Sequence, residues 1–301
     1  MIIDGFKGMY PALVSPRDET GAFSVSAFEK LMARIYEQGS HGVYVAGNTG
    51  EGYLMTMAER KLATEIAVKA SKGHGRVVVH VGAPSERDAV ELAKHAANAG
   101  ADGISSLPPY VQGYRFDDIL AYYSALSSAA NLPVFVYYIP VVTHQEYSFE
   151  QINQMLALEG VVGIKFTNFN LFLMERILNG PHKPHIFNGH DEVALSGIAV
   201  GAQGGIGTFY NVMPAHFVGI YEAVNKRDLD TARTLQADVN ELIRICQKYS
   251  GHGSVRAVLR WQGIDCGDPV KPTRPLDEEE EKALRKEIEA ADIEAADLDI
   301  F

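Results

Sequence analysis

Cysteine is scarce in this chain of 301 residues, and the two that occur, Cys246 and Cys266, have no diagnostic spacing. Neither belongs to a C-x-x-C pair or to a Cys/His cluster, so the usual thiolate metal centres and a disulfide framework are excluded. No spacing of His, Asp and Glu indicates a metal ion either. We therefore expect reduced thiols and no metal.

Long apolar runs and an excess of positive charge are also missing. No run approaches the roughly 18 residues that a membrane span needs, and residues 1–8 lack the basic and apolar regions of a signal peptide. The 27 basic and 38 acidic residues give a formal net charge of −11. This excess argues against nucleic acid and polyphosphate partners. We predict a soluble, cytoplasmic protein with no membrane partner.

Short apolar segments alternate with amphipathic helical patterns through most of the chain. Several of the helices are predicted to begin at capping motifs, Ser26-x-x-Glu29 and Thr56-x-x-Glu59 among them. This alternation predicts an α/β fold, a parallel TIM (β/α)8 barrel whose strands are buried on both faces. The predicted strands lie at 10–14, 42–46, 77–81, 103–107, 134–138, 161–167, 185–188 and 204–208.

Beyond the eighth strand the pattern stays helical, with predicted helices at 216–224, 229–250, 255–261 and 277–293. We interpret residues 1–213 as the barrel core and residues 214–301 as C-terminal helices packed on the barrel. Both parts would then belong to the same structural domain.

The sixth predicted strand contains an unexpected lysine, Lys165, within the apolar run 161–167. Lysine is among the residues least often buried, because its ammonium loses hydration there. Burial lowers the pKa of the amine, and an unprotonated amine attacks carbonyl groups. The functional interpretation is a Schiff-base lysine. The alternative is a lysine at a strand end whose charged head extends into water.

Other polar residues collect where the predicted strands end, and active sites of such barrels lie there. Tyr137 is on the strand next to that of Lys165, where a phenol can transfer protons to and from a Schiff base. Taken alone, a tyrosine at this position is more often a core aromatic residue with a hydrogen-bonded hydroxyl. The strand-end set comprises Asn48, Thr49, Tyr110, Tyr137, Lys165, Thr167, Gly189, Asp191, Glu192 and Thr208.

The glycine-rich segment 47–51 offers backbone amides and a hydroxyl at a turn between a strand and a helix. It lacks the Gly-Lys-Ser/Thr ending of a nucleotide loop, so we expect it to bind a carboxylate. Taken alone the pattern is weak, because glycines also occur in ordinary tight turns. His80, on an apolar strand, is interpreted as a hydrogen-bonded core residue.

Four ordered segments carry a family resemblance: 47–51 (GNTGE), 137–140 (YYIP), 163–167 (GIKFT) and 204–208 (GGIGT). With these four segments in this order, the chain resembles the dihydrodipicolinate synthase/N-acetylneuraminate lyase superfamily. The resemblance implies a pyruvate-dependent class I aldolase, usually a homotetramer, with a covalent imine through Lys165 in place of a cofactor. It implies that Tyr137 relays protons, assisted by Tyr110 from a neighbouring subunit. Asn48 and Thr49 resemble the site for the keto-acid carboxylate.

Two further segments bear on the substrate. Dihydrodipicolinate synthases carry an arginine soon after the YxxP segment, whereas this chain reads Val-Val-Thr at 141–143. Segment 187–192 (FNGHDE) resembles the part of the sialic acid lyases that holds a polyhydroxylated substrate. Thr208 and Asn48 differ from the residues common in that branch. The resemblance thus implies substrate contacts by Thr167, Gly189, Asp191, Glu192 and Thr208.

The resulting prediction is an enzyme that cleaves a 2-keto sugar acid to pyruvate and an aldehyde, most similar to the N-acetylneuraminate lyases. Alternatives are an aldolase or dehydratase of 2-keto-3-deoxy sugar acids, a dihydrodipicolinate synthase, or a non-catalytic barrel that senses a keto acid. Asp191 and Glu192 also have an alternative interpretation, since a carboxylate at this position can cap the helix that follows.

Overall fold

The computed structural model describes residues 5–109, 111, 113–291 and 293, so the predicted site residue Tyr110 lies outside the described residues. Eight parallel strands form one sheet in the order β1-β8-β7-β6-β5-β4-β3-β2, and a parallel bridge between Ala12 and Tyr44 joins its two edges. The predicted TIM barrel is confirmed. The strands are β1 Gly8–Pro11, β2 Gly42–Val45, β3 Arg76–His80, β4 Gly103–Ser106, β5 Val134–Tyr138, β6 Val161–Phe166, β7 His185–Asn188 and β8 Gly204–Gly207.

Both faces of this sheet are buried, as the near-continuous apolar strands predict. On β2, Tyr44 points into the barrel while its neighbours Val43 and Val45 pack against the outer helices. Aromatic side chains dominate the interior, where Tyr10 and Phe187 pack edge to face at 5.0 Å. The interior is therefore a packed core, and polar groups are accommodated at its ends.

Helices cover the outside of the sheet. Their bounds are α1 Val25–Glu37, α2 Met57–Ala70, α3 Glu86–Ala99, α4 Phe116–Ala130, α5 Pro140–Thr143, α6 Phe149–Leu156, α7 Leu171–Leu178, α8 Ala194–Val200, α9 Pro214–Lys226, α10 Leu229–Cys246, α11 Gly251–Trp261 and α12 Glu278–Ala290. Short 3-10 helices, Asp191–Val193 and Phe209–Asn211, precede α8 and α9.

Helix starts follow local chemistry, with one correction. The capping box at Thr56 and Glu59 is present. The box predicted at Ser26 and Glu29 is wrong, because Ser24 caps α1 and accepts a hydrogen bond from the Ala27 amide. Ser24 lies in extended backbone geometry, which an N-cap requires, whereas Ser26 is already inside the helix.

The C-terminal helices are a continuous part of the packing. Helix α9 contacts β1 and α8, and α10 runs along α9 and reaches the 3-10 helix at Asp191–Val193. The division of the chain at residue 213 stays a prediction. In the part of the chain that the structure describes, no helix is long and apolar enough to cross a membrane.

Candidate active site

A cavity of about 290 Å³ opens at the carboxyl ends of the strands. Nine of the ten predicted site residues line it, although they come from four different strand-to-helix connections and from strands β5 and β6. They are Asn48, Thr49, Tyr137, Lys165, Thr167, Gly189, Asp191, Glu192 and Thr208. The structure therefore brings the predicted set together, and the role of each member stays a prediction.

Lys165 lies on β6 and is only 4% exposed. Its Nζ is 4.0 Å from the ring centroid of Tyr137 and 4.5 Å from that of Tyr44. Among the described residues this amine has neither a hydrogen bond nor an ion pair. Burial lowers its pKa to about 7, with Asp191 opposing the shift. A lysine whose pKa is near neutrality has a large unprotonated, nucleophilic fraction at physiological pH.

Tyr137 and Lys165 are register partners on β5 and β6, so their side chains enter the barrel at the same level. Tyr137 is buried, and burial raises the pKa of its phenol while Thr167 lowers it in part. The phenol thus stays protonated at neutral pH. A neutral hydroxyl donates one hydrogen bond and accepts another, which suits a proton relay beside an amine.

Asp191 lines the cavity and is 5% exposed. Its Oδ2 accepts a hydrogen bond of 2.7 Å from the backbone amide of Phe209, at the start of the 3-10 helix after β8. The carboxylate therefore caps an element of the next barrel unit, rather than the helix that follows it in the chain. Burial raises the pKa of Asp191 to about 7.

Glu192 differs from its neighbour because it is more exposed and better paired. Its Oε2 is 3.5 Å from Nδ1 of His190, and this contact is the main cause of its lowered pKa. Gln247, the C-cap residue of α10, donates a hydrogen bond of 3.4 Å to the other carboxylate oxygen. The imidazole of His190 is in turn stacked on Phe169, with ring centroids 3.9 Å apart. Glu192 is thus a fixed anion at the mouth of the cavity.

Hydroxyl groups form another part of the cavity wall. The Oγ1 atoms of Thr49 and Thr208 are 2.7 Å apart and share a hydrogen bond. This bond connects the loop after β2 with the end of β8. A side chain at Gly189 would place its Cβ 1.9 Å from Oγ1 of Thr167, so only glycine leaves that hydroxyl in place. The cavity therefore offers an anionic rim and a hydroxyl-lined wall.

Two histidines of the cavity were not predicted. His190 lies within segment 187–192, so its position beside Asp191 was a usable signal. His252 on α11 also lines the cavity, and burial lowers its pKa. No local pattern indicates it, because it reaches the site from the C-terminal helices. His80 is a buried core residue, as predicted, and its Nε2 accepts a hydrogen bond of 3.3 Å from the Leu107 amide.

Among the residues that the structure describes, no group of three or more His, Cys, Asp or Glu side chains is placed to hold a metal ion. The reactive group that the geometry does provide is the amine of Lys165. A barrel with an unpaired buried lysine beside a protonated phenol, at the carboxyl ends of its strands, has the arrangement of a class I aldolase.

Comparisons with known proteins agree with this class. The model of the dihydrodipicolinate synthetase family matches residues 5–291. An N-acetylneuraminate lyase of Escherichia coli is 33% identical over 288 residues, covering 94% of this chain and 97% of the relative. The chain belongs to the dihydrodipicolinate synthetase family. The predicted resemblance and the predicted reaction class, a pyruvate-dependent class I aldolase, are confirmed.

Solved structures give the same result. A sialic acid aldolase of Ruminococcus gnavus has a TM-score of 0.90 and 28% identity, with 95% of this chain and 96% of that chain covered. An N-acetylneuraminate lyase of Proteus mirabilis has a TM-score of 0.89 and 26% identity, with 96% and 99% covered. The similarity thus extends over the barrel and the C-terminal helices together.

Proposed function

We propose that this protein cleaves N-acetylneuraminate to pyruvate and an aldehyde sugar through an imine on Lys165. The observation that carries the proposal is the position of the Lys165 amine, buried over the ring of Tyr137 with its pKa lowered to about 7. The relatives named above as N-acetylneuraminate lyases and sialic acid aldolase support the substrate.

The chemistry follows from the two side chains. The unprotonated amine attacks the 2-keto carbon, and loss of water gives an imine. The imine takes up a proton, and its positive nitrogen then accepts electrons from the bond to be broken. Cleavage of the C3–C4 bond requires the C4 hydroxyl to lose a proton, and the released enamine then takes one up at C3. Tyr137 is the proposed relay for both transfers. Water finally hydrolyses the pyruvate imine and regenerates the amine.

The carboxylate of the keto acid has a candidate site between two loops. Asn48 and Thr49 lie after β2, and Thr208 lies after β8, within hydrogen-bonding distance of Thr49. Amide and hydroxyl donors at a strand-to-helix turn bind an anion without a cationic side chain. We propose that this wall holds the C1 carboxylate while Lys165 reacts at C2.

The sugar tail would extend toward Gly189, Asp191 and Glu192, with Thr167 beside Gly189. Charged acceptors form strong hydrogen bonds with hydroxyl groups and repel a second carboxylate. Segment 141–143 supplies no cation, and Val141 is exposed to solvent. The mouth of the cavity therefore favours a substrate with a polyhydroxylated tail. It disfavours a molecule with a second carboxylate, such as the product of a dihydrodipicolinate synthase.

Incubation with pyruvate and borohydride tests the imine, because reduction fixes pyruvate on the reacting lysine. We expect covalent mass on Lys165 alone, and trapping on another lysine would overturn the assignment. A panel of keto sugar acids assayed for pyruvate release tests the substrate. Failure to turn over N-acetylneuraminate, with release from another sugar acid, would reassign the substrate and leave the imine chemistry intact.

We further propose a homotetramer in the cytoplasm. Val111, Val141, Phe169 and Phe172 expose large apolar side chains on the segments that follow β4, β5 and β6, and they are 61%, 73%, 61% and 76% exposed respectively. We propose that a second copy packs on these apolar side chains; the predicted relay residue Tyr110 directly precedes Val111 in the sequence. The two free cysteines are consistent with a reducing compartment. A fully active monomer that is insensitive to Tyr110→Phe would contradict the intersubunit role.

A further inference from the structure

An ion pair behind the cavity ties the loop after β2 to the C-terminal helices. Nη2 of Arg256 on α11 is 2.6 Å from Oε2 of Glu51, and the two side chains are 2% and 1% exposed. The residues are 205 positions apart in the sequence. Such a pair is costly to bury unless further hydrogen bonds satisfy both groups.

Both groups have those bonds. Arg256 also donates to the backbone oxygen of Ser15, at 3.0 Å, and to that of Cys266. The second oxygen of Glu51 accepts a hydrogen bond of 2.9 Å from the amide of Val270. The carboxylate of Glu51 thus joins the loop after β2 to α11 and to the segment before α12. The guanidinium of Arg256 also bonds to the segment after β1.

The backbone of the same loop is closely constrained. Glu51 has φ +52°, a left-handed conformation that is uncommon for a residue with a side chain. Its amide donates a hydrogen bond of 2.9 Å to the Asn48 oxygen. A Cβ at Gly52 would lie 1.9 Å from the Ala46 oxygen. Surroundings that fix an unfavourable conformation are typical of functional sites.

We infer that Glu51 and Arg256 are positioning residues for the keto-acid carboxylate. By fixing the turn from behind, they hold Asn48 and Thr49 at the cavity wall in the arrangement that receives the anion. The inference rests on the proposed function, since it assumes that this wall binds a carboxylate. Under the alternative, the pair only attaches the C-terminal helices to the barrel.

The test compares two ketones that react with the same lysine. Pyruvate carries the carboxylate, whereas pyruvamide has a neutral amide in its place. Borohydride trapping rates at limiting concentration give a preference ratio for pyruvate over pyruvamide. Overall destabilisation would slow both reactions, whereas a displaced carboxylate site lowers the ratio itself.

We expect Glu51→Gln to lower this ratio by about tenfold, the size of one lost charge-assisted hydrogen bond. Arg256→Lys keeps the charge but cannot reach all three acceptors, so its reduction should be smaller. Arg260→Lys and Glu281→Gln are the matched controls. They alter a pair at 2.6 Å between Arg260 of the same helix, α11, and Glu281 of α12. This pair does not reach the loop, so the wild-type ratio should persist.

Wild-type ratios in folded Glu51→Gln and Arg256→Lys proteins would overturn the inference and leave only the attachment role. Thermal unfolding establishes which variants are folded. If Glu51→Gln does not fold, Arg256→Lys decides the question. A wild type that traps neither ketone would instead overturn the proposed function and this inference with it.

Discussion

Lys165 and Arg256 are both buried cations, and their surroundings differ in almost every respect. Lys165, at the barrel mouth, lies over two aromatic rings and has no hydrogen bond or ion pair among the described residues. Arg256, behind the neighbouring loop, has a carboxylate and two backbone oxygens. Burial therefore lowers the pKa of Lys165, which lacks such partners, whereas the buried Arg256 holds separate segments of the chain together.

The comparison shows how partners determine what a buried charge does. A cation without a partner relieves the cost of burial by losing its proton, which for an amine creates a nucleophile. A cation with full hydrogen bonding keeps its charge and fixes the segments around it. Removing the Lys165 side chain should therefore abolish activity and leave stability unchanged, whereas removing the Arg256 side chain should lower stability.

Two single variants, in which either Lys165 or Arg256 is replaced by methionine, should show the largest effects on turnover and on stability. Lys165→Met should lower turnover by at least about 10⁴-fold, because the covalent intermediate is lost. It should not lower the free energy of unfolding, because an apolar side chain suits the site. Arg256→Met should lower that free energy by about 3–5 kcal/mol, since Glu51 would be left buried without its counterion.

Denaturant unfolding and pyruvate release, measured on both variants, check this prediction. Arg274→Met, which removes an arginine that is 63% exposed, should change stability by about 0.5 kcal/mol or less. Residual turnover in Lys165→Met would show that another group forms the imine.

Tyr137→Phe separates the effect of the hydroxyl from that of the ring beside Lys165. It removes the hydroxyl and keeps the ring below the Lys165 amine, so burial of the amine is preserved. We expect kcat to fall by about 10²–10⁴-fold, as is typical for a general acid–base group. Tyr138→Phe is the matched control, because Tyr138 follows on the same strand but packs against Phe166 on the outer face. A fall of only a few-fold for Tyr137→Phe would return it to the role of core aromatic.

The adjacent carboxylates Asp191 and Glu192 should respond differently to pH. Asp191→Asn and Glu192→Gln, which replace each carboxylate by a neutral amide, should each lower kcat/KM for N-acetylneuraminate by about 10–100-fold at pH 8, where both carboxylates are charged. The pKa of Asp191 is raised to about 7, so the wild-type side chain is largely neutral at pH 6. The Asp191→Asn deficit should therefore shrink at pH 6. The pKa of Glu192 is lowered, so the Glu192→Gln deficit should persist.

These ratios are measured against wild type at each pH. Equal deficits for Asp191→Asn at pH 6 and pH 8 would contradict the raised pKa. Unchanged kcat/KM in both variants would remove both residues from substrate binding.

Imine formation by the wild type gives the smallest expected effect. The reactive amine is the form without the proton, and its pKa is about 7, so the reactive fraction increases as the pH rises. Between pH 6 and pH 8 the trapping rate with pyruvate should increase about tenfold and then level off. Rapid-quench borohydride trapping measures it. A rise that continues through pH 10 would mean that Lys165 keeps its ordinary pKa.

Much of the site could be predicted because its signals are local. A lysine inside an apolar strand is visible in seven residues, and the strand-to-helix alternation places Tyr137 on the neighbouring strand. Asn48, Thr49, Thr208 and the 187–192 segment follow strand ends, and parallel strands bring their carboxyl ends to one face.

The remaining features of the site depend on packing between distant parts of the chain. His252 and Arg256 are about 200 residues from the loop that they approach, and no short-range pattern links helix α11 to it. The bond from Phe209 to Asp191 likewise joins two barrel units. The pKa values of Lys165 and Asp191 depend on how completely the surrounding side chains exclude water. Residue type and periodicity are enough to show which groups could react. Desolvation and long-range hydrogen bonding, which exist only once the chain is packed, decided their charge and their orientation.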